Sequence, residues 1–117
     1  MEGRPMNIDV REEGKVTLVR LSGDLDATGA PRLTEELDRL WGEGRRQFVI
    51  DLGGVPFIDS GGLSALVRLF KRVRGQAGRL GLASLQPAVR RVFELTRLER
   101  SFDVYPDVAE ALRRAGR

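Results

Sequence analysis

The segment Asp59-Ser60-Gly61-Gly62-Leu63 places a carboxylate, a hydroxyl and two glycines within five consecutive residues. Ser and Asp are preferred where a helix begins, so Ser60 is predicted to lie at or next to the N-cap of a helix. A helix N-terminus offers free N–H groups and partial positive charge, which together accommodate a phosphate. Phosphorylation of Ser60 would add roughly −1.5 to −2 charges beside Asp59 without breaking the fold. A partner packed on this surface would then be repelled, as in a switch.

The same residues also permit a purely structural interpretation. As an N-cap, Ser60 would contribute on the order of 1 kcal/mol to stability and do nothing else. Asp59 beside it would complement the helix dipole. The glycines Gly61 and Gly62 would let another backbone approach closely under either interpretation.

Other chemistries are restricted by what the sequence lacks. The chain contains neither Cys nor His, which excludes thiol nucleophiles, disulfides, cysteine–metal sites and the Ser-His-Asp triad. The sequence does allow a carboxylate cluster for Mg²⁺, formed by Asp24, Asp26, Asp51 and Asp59. The GxxxxGK[ST] phosphate loop of nucleotide-binding proteins is absent, and the short glycine pairs do not replace it. We therefore expect a protein without enzymatic activity, cofactor or metal.

Composition indicates a folded protein with a mixed surface. A length of 117 residues suits one domain, and the hydrophobic fraction of 41% suits a packed core. The formal net charge is +3, but 17 acidic residues are interspersed among 20 basic ones. We interpret this as a solvated surface that does not bind nucleic acid directly. The more specific alternative is a cationic patch in the C-terminal third that would dock nucleic acid or an acidic protein. It would be formed by Arg90, Arg91, Arg97, Arg100, Arg113, Arg114 and Arg117.

No apolar segment approaches the ~20 residues that a membrane-spanning helix needs. The first six residues contain no apolar core, so no signal peptide is predicted and a cytoplasmic location is expected.

The remaining elements are predicted from hydrophobic periodicity and turn residues. Strands are expected at Asn7–Arg11, Val16–Leu21, Gln47–Leu52, Arg79–Ala83 and Phe102–Tyr105. Helices are expected after Thr28 as N-cap, at Ser60–Val73, from Gln86-Pro87 and from Asp107. The order β-β-α-β-α-β-α-β-α predicts an α/β fold: a mixed, mainly parallel sheet of about five strands with four helices. The chain is expected to form a single domain over residues 1–117, with a core of about 6–113.

Four segments together resemble a known family. They are Gly23-Asp24-Leu25-Asp26, Phe48-Val49-Ile50-Asp51-Leu52, Phe57-Ile58-Asp59-Ser60-Gly61-Gly62-Leu63 and Pro87-Ala88-Val89-Arg90-Arg91-Val92-Phe93. Their order and distances are similar to those of the STAS domain (sulfate transporter and anti-sigma-factor antagonist), and specifically of stand-alone bacterial anti-sigma-factor antagonists. The resemblance extends from about Met6 to Leu112.

The resemblance implies a mechanism. The unphosphorylated protein would bind an anti-sigma factor that is also a serine/threonine kinase, which frees a sigma factor. The kinase would use Mg-ATP to phosphorylate Ser60, the complex would separate, and a phosphatase would reset the switch. Asp26 would lie near Ser60, where it could orient the hydroxyl or contact the kinase. The implied partner-binding residues are Asp24, Asp26, Asp59, Ser60, Gly61, Gly62, Leu63 and Ser64, on a monomer.

Two further points bear on this resemblance. Members of the family usually have Ser or Thr directly after the phosphorylated Ser, where this chain has Gly61. Ser64, one turn further along the helix, is a poor substitute phosphorylation site.

The alternative to an anti-sigma-factor antagonist is a STAS docking subunit of a larger assembly, such as a lipid-transport ABC system. Neighbouring permease genes would indicate this alternative.

Overall fold

The computed structural model of the chain describes residues 4–116, in which five strands alternate with four α-helices. The strands are β1 (Asn7–Glu13), β2 (Val16–Ser22), β3 (Gln47–Gly54), β4 (Arg79–Ala83) and β5 (Asp103–Tyr105). The helices are α1 (Gly29–Gly42), α2 (Ser60–Gly75), α3 (Pro87–Leu95) and α4 (Val108–Ala115), and a short 3-10 helix covers Leu98–Arg100. The predicted order of elements is confirmed. Residues 1–3 and 117, which the single-domain and signal-peptide predictions include, lie outside the described part.

The five strands form one sheet in the order β1-β2-β3-β4-β5. β1 and β2 are an antiparallel hairpin, with Asn7 opposite Ser22 and Gly14 in the turn at a φ of 66°. Every later pair in the sheet is parallel. The predicted mixed, mainly parallel sheet is therefore confirmed.

The two faces of the sheet are covered unequally. Each crossover from one parallel strand to the next runs in the same direction along the sheet, and right-handed crossovers then place their helices on one face. α1, α2 and α3 bury their apolar side chains there against Val19, Phe48 and Ile50. α4 covers the opposite face, where Ala111 packs with Leu18 and other small apolar residues. β3 is consequently buried on both sides, as its continuous apolar sequence predicts.

The buried face of α2 differs from the predicted stripe. The sequence predicts Leu63, Leu66, Val67, Phe70 and Val73 as the inward positions. The positions that are actually buried are Gly62, Ala65, Leu66, Leu69 and Val73. The difference arises because α2 packs against α1 as well as the sheet, which turns its small residues inward. Leu63, Val67 and Phe70 are left half-buried at the edge of the core.

The arginine residues of the C-terminal third do not form one surface. Arg90 and Arg91 lie on α3, whereas Arg113 and Arg114 lie on α4 across the sheet and pair with Glu110. Arg117 lies outside the described part. Across residues 4–116, none of the helices combines the length and hydropathy that spanning a bilayer requires.

Candidate functional site

Two loops meet at the carboxyl-terminal ends of β2 and β3. The first, residues 23–28, leads into α1, and the second, residues 55–59, leads into α2. Leu25 and Ile58 pair as an isolated parallel bridge. The amide of Leu25 donates to the carbonyl of Phe57 at 3.0 Å, and the amide of Asp59 donates back to the carbonyl of Leu25 at 3.2 Å. The loops therefore extend the parallel pairing of the sheet and hold the start of α2 beside the start of α1.

Asp59, and not Ser60, is the N-cap of α2. Its backbone is extended, and its Oδ1 accepts from the amide of Gly62 at 3.0 Å. Its Oδ2 accepts from the amide of Ala27 in the other loop at 3.2 Å. Ser60 is exposed as the first residue of the helix, and its hydroxyl makes no hydrogen bond to other residues in 4–116. Interpreting Ser60 as the stabilising cap is therefore wrong, because Asp59 occupies the N-cap position and its side chain accepts the capping hydrogen bond.

The two glycines of the segment have different surroundings. A Cβ on Gly62 would lie 2.1 Å from the carbonyl oxygen of Leu25, so α2 approaches the first loop more closely than any larger residue permits. The backbone that approaches Gly62 is therefore that of Leu25 in the same chain, and not that of a partner. Gly62 itself is buried. A Cβ on Gly61 would lie 3.3 Å from Oδ1 of Asp59 and 3.6 Å from Cα of Ala27. These contacts are close, but a small shift of the Asp59 side chain would accommodate a larger residue.

Asp26 caps α1. Its Oδ1 accepts from the amide of Thr28 at 3.1 Å and from the amide of Gly29 at 2.9 Å. Thr28 occupies the N-cap position that the sequence predicts, but its side chain makes no capping bond and its backbone is already helical. In the described chain no hydrogen bond joins Asp26 to Ser60, so an orienting role for Asp26 stays a prediction.

The carboxylates that the sequence allows as a magnesium site are engaged separately. Asp24 accepts from the amide of Arg4 at 3.1 Å, and Asp51 faces Arg20 at 3.4 Å. Asp26 and Asp59 are occupied by helix N–H groups. No three of the described Asp and Glu residues are grouped closely enough to hold a metal ion. The cluster considered from the sequence is therefore not formed.

The surface around Ser60 includes residues that the sequence did not single out. Phe57 is 50% exposed in the loop before it. A shallow groove of about 450 Å³ runs from Ser60 along α2, and its lining consists of Ser60, Leu63, Ser64, Val67, Arg68 and Lys71. The spacing of Ser60, Val67 and Lys71 is helical, so the periodicity of the sequence could have indicated the groove. No local signal indicates that Phe57 remains exposed.

Residues 7–111 match the STAS domain. The anti-sigma-B factor antagonist of Bacillus subtilis (strain 168) is 34% identical over 99 residues, which cover 85% of this chain and 90% of that protein.

Two solved structures have the same fold over nearly their whole length. An anti-sigma factor antagonist from Mycobacterium paratuberculosis is 29% identical with a TM-score of 0.88, covering 96% of this chain and 95% of its own. An anti-sigma-factor antagonist (STAS) domain protein from Planctomyces limnophilus is 27% identical with a TM-score of 0.82, covering 94% and 98%.

Proposed function

The chain belongs to the STAS domain family, and from this premise we propose that it is an anti-sigma factor antagonist. In its unphosphorylated form it binds an anti-sigma factor that is also a serine/threonine kinase, and the bound sigma factor is released. The kinase transfers a phosphoryl group from Mg-ATP to the hydroxyl of Ser60, and the complex separates. A phosphatase restores the free hydroxyl.

The observation that carries this proposal is that Asp59 caps α2 while Ser60 is exposed beside it. Asp59 supplies the cap of α2 through Oδ1, which leaves the Ser60 side chain exposed and without a structural task among the described residues. Phosphorylation of Ser60 is therefore compatible with an unchanged fold.

The proposed switch is electrostatic. A phosphate on Ser60 would add roughly −1.5 to −2 charges next to the Asp59 carboxylate. Both oxygens of that carboxylate already accept backbone N–H groups, which hold it in place. A partner packed over Phe57 and Ser60 would have to bury the added charge without a matching cation, which is strongly unfavourable.

The proposed contact surface comprises the exposed and half-buried members of the two loops and the first turns of α2. It includes Asp24, Asp26, Asp59, Ser60, Gly61, Leu63 and Ser64. Gly62 is buried and contributes indirectly, by letting α2 lie against Leu25. In this proposal the chain is the substrate of the kinase and performs no catalysis itself. It acts as a monomer in the cytoplasm, where sigma factors meet RNA polymerase.

The test uses each anti-sigma factor kinase encoded in the genome that carries this chain, purified singly and mixed with the protein and Mg-ATP. Intact-mass spectrometry is expected to show one added phosphoryl group on the wild type and on Ser64→Ala, and none on Ser60→Ala. Ser60→Ala should bind the kinase like the wild type, whereas Ser60→Asp should bind at least about tenfold more weakly, a change of ~1.4 kcal/mol. Phosphate on the Ser60→Ala protein would refute the site.

A further inference from the structure

α2 has an unbalanced charge. Its sixteen residues contain four cationic side chains and no acidic one. They are Arg68, Lys71, Arg72 and Arg74. The chain as a whole has nearly equal numbers of acidic and basic residues, so this helix concentrates positive charge in the turns that follow Ser60.

Two of the four cations have a structural explanation. Arg72 pairs with Asp38 of α1 and lies 4.8 Å from the Trp41 ring centroid, which ties the two helices together. Arg74 lies in the last turn, where a cation complements the helix dipole, and it also lies over the Phe70 ring at 5.4 Å.

Arg68 and Lys71 have no such explanation. Both are exposed, and neither forms an ion pair with a described residue. They lie in the middle of the helix, away from the last turn in which the dipole acts.

These two cations share one helix face with Ser60. Positions 60, 64 and 68 are spaced by four residues, and position 71 follows 67 by four, so they stack along one side of the helix. Together with the half-buried Leu63 and Val67 they line the shallow groove of about 450 Å³. We call this surface, formed by Ser60, Leu63, Ser64, Val67, Arg68 and Lys71, the α2 strip. At 1.5 Å per residue it is about 17 Å long.

We propose that the α2 strip binds an acidic surface of the anti-sigma factor, with Leu63 and Val67 as the apolar centre and Arg68 and Lys71 as the cationic end. This rests on the proposed function and adds the chemistry of the partner. Complementary charge across an interface steers association and excludes wrong partners. The two unpaired, exposed cations beside the groove would find their opposite charges on an acidic partner surface. Nucleic acid is a less suitable occupant, because phosphate backbones usually engage more cations than two.

Ser60 and the cationic pair occupy opposite ends of the α2 strip. Phosphate on Ser60 would have to be buried by the part of the partner that covers the first turn of α2, which is unfavourable without a matching cation. Along the helix axis Ser60 and Arg68 are about 12 Å apart, which exceeds the screening length of about 8 Å at physiological ionic strength. The two ends therefore act independently, and their effects on the free energy of binding are expected to add.

The test measures the dissociation constant for the purified anti-sigma factor kinase as a function of salt. Arg68→Glu and Lys71→Glu are each expected to weaken binding at least about tenfold at low salt, mostly through slower association. Arg90→Glu and Arg91→Glu on α3 are the matched controls, because they are exposed and change the net charge equally. The controls should alter affinity less than about threefold, and at physiological ionic strength Ser60→Asp combined with Arg68→Glu should show the product of the single effects.

The outcomes separate this inference from the proposed function. If the wild type binds and Ser60→Asp weakens binding, but the α2 variants behave like the α3 controls, the acidic docking surface is wrong and the switch stands. If Arg68→Glu and Lys71→Glu abolish binding to duplex DNA and spare the kinase, the occupant is nucleic acid and the proposal is overturned. If the wild type binds none of the kinases, the proposed function fails and this inference fails with it.

Discussion

The amide of Ala27 donates a hydrogen bond of 3.2 Å to Oδ2 of Asp59, while Oδ1 of the same carboxylate caps α2. One side chain thus connects the loop before α1 to the first turn of α2. The carboxylate nearest to the proposed phosphorylation site is therefore also a structural element of that site. Changes at Asp59 and at Ser60 should consequently have different effects on stability.

Asp59→Ala is expected to lower the free energy of unfolding by about 1–2 kcal/mol, because the variant loses a charge-assisted cap and leaves two amides without their acceptor. Ser60→Ala is the matched control, and it should change stability by less than about 0.5 kcal/mol because its hydroxyl has no partner in the described chain. Urea unfolding followed by circular dichroism measures both. Equal losses in the two variants would contradict the assignment of Asp59 as the cap.

Gly62→Ala is expected to be destabilising. The added Cβ would lie 2.1 Å from a backbone oxygen of Leu25, and a backbone atom cannot rotate away as a side chain does. The α2 helix would have to shift, at a cost of about 1–3 kcal/mol. Gly61→Ala is the neighbouring control, since its Cβ would come no closer than 3.3 Å to a side-chain oxygen. Thermal unfolding should separate the two variants, and a Gly62→Ala protein as stable as Gly61→Ala would refute the close approach.

Asp26→Ala is expected to destabilise α1 by about 1 kcal/mol, because two amides at the start of the helix lose their acceptor. Thr28→Ala should cost less than about 0.5 kcal/mol, since the Thr28 side chain makes no capping bond. Hydrogen exchange of the amides of Thr28 and Gly29 reports the cap directly. Faster exchange in Thr28→Ala than in Asp26→Ala would show that the threonine is the capping residue after all.

Partial burial, followed by the nearby charge of Asp103, raises the pKa of Tyr105 above its usual value of 10.0. A raised pKa in the folded state means that the unfolded chain ionises first as the pH rises. The contribution of Tyr105 to stability is therefore complete below pH 10.0 and is lost as the pH rises through the folded-state pKa. Tyr105 is the only tyrosine in the sequence, so phenolate absorbance reports it alone. Its titration midpoint should fall to the usual value in urea, and an identical midpoint in both states would contradict the prediction.

The elements of the fold were predictable because local patterns specify them. Alternation along Val16–Leu21 assigns Val16 and Leu18 to one face and Val19 and Leu21 to the other, and the structure places them in separate clusters. The continuous apolar run of β3 indicates burial on both faces for the same reason. The buried face of α2 was less predictable, because periodicity defines a stripe but not which neighbouring helix it meets. Contact with α1 shifted the buried set toward Ala65 and Leu69.

The sequence by itself determined that Asp59 and Ser60 begin a helix after a buried strand, and that hydroxyl and carboxylate chemistry must serve where Cys and His are absent. Only the tertiary structure decided which of the two residues is the cap. The Asp59 carboxylate that caps α2 is held by a second amide, that of Ala27, which lies 32 positions away along the chain. Long-range contacts of this kind leave no trace in local spacing, because the sheet brings the two loops together and the sequence pattern records only each loop.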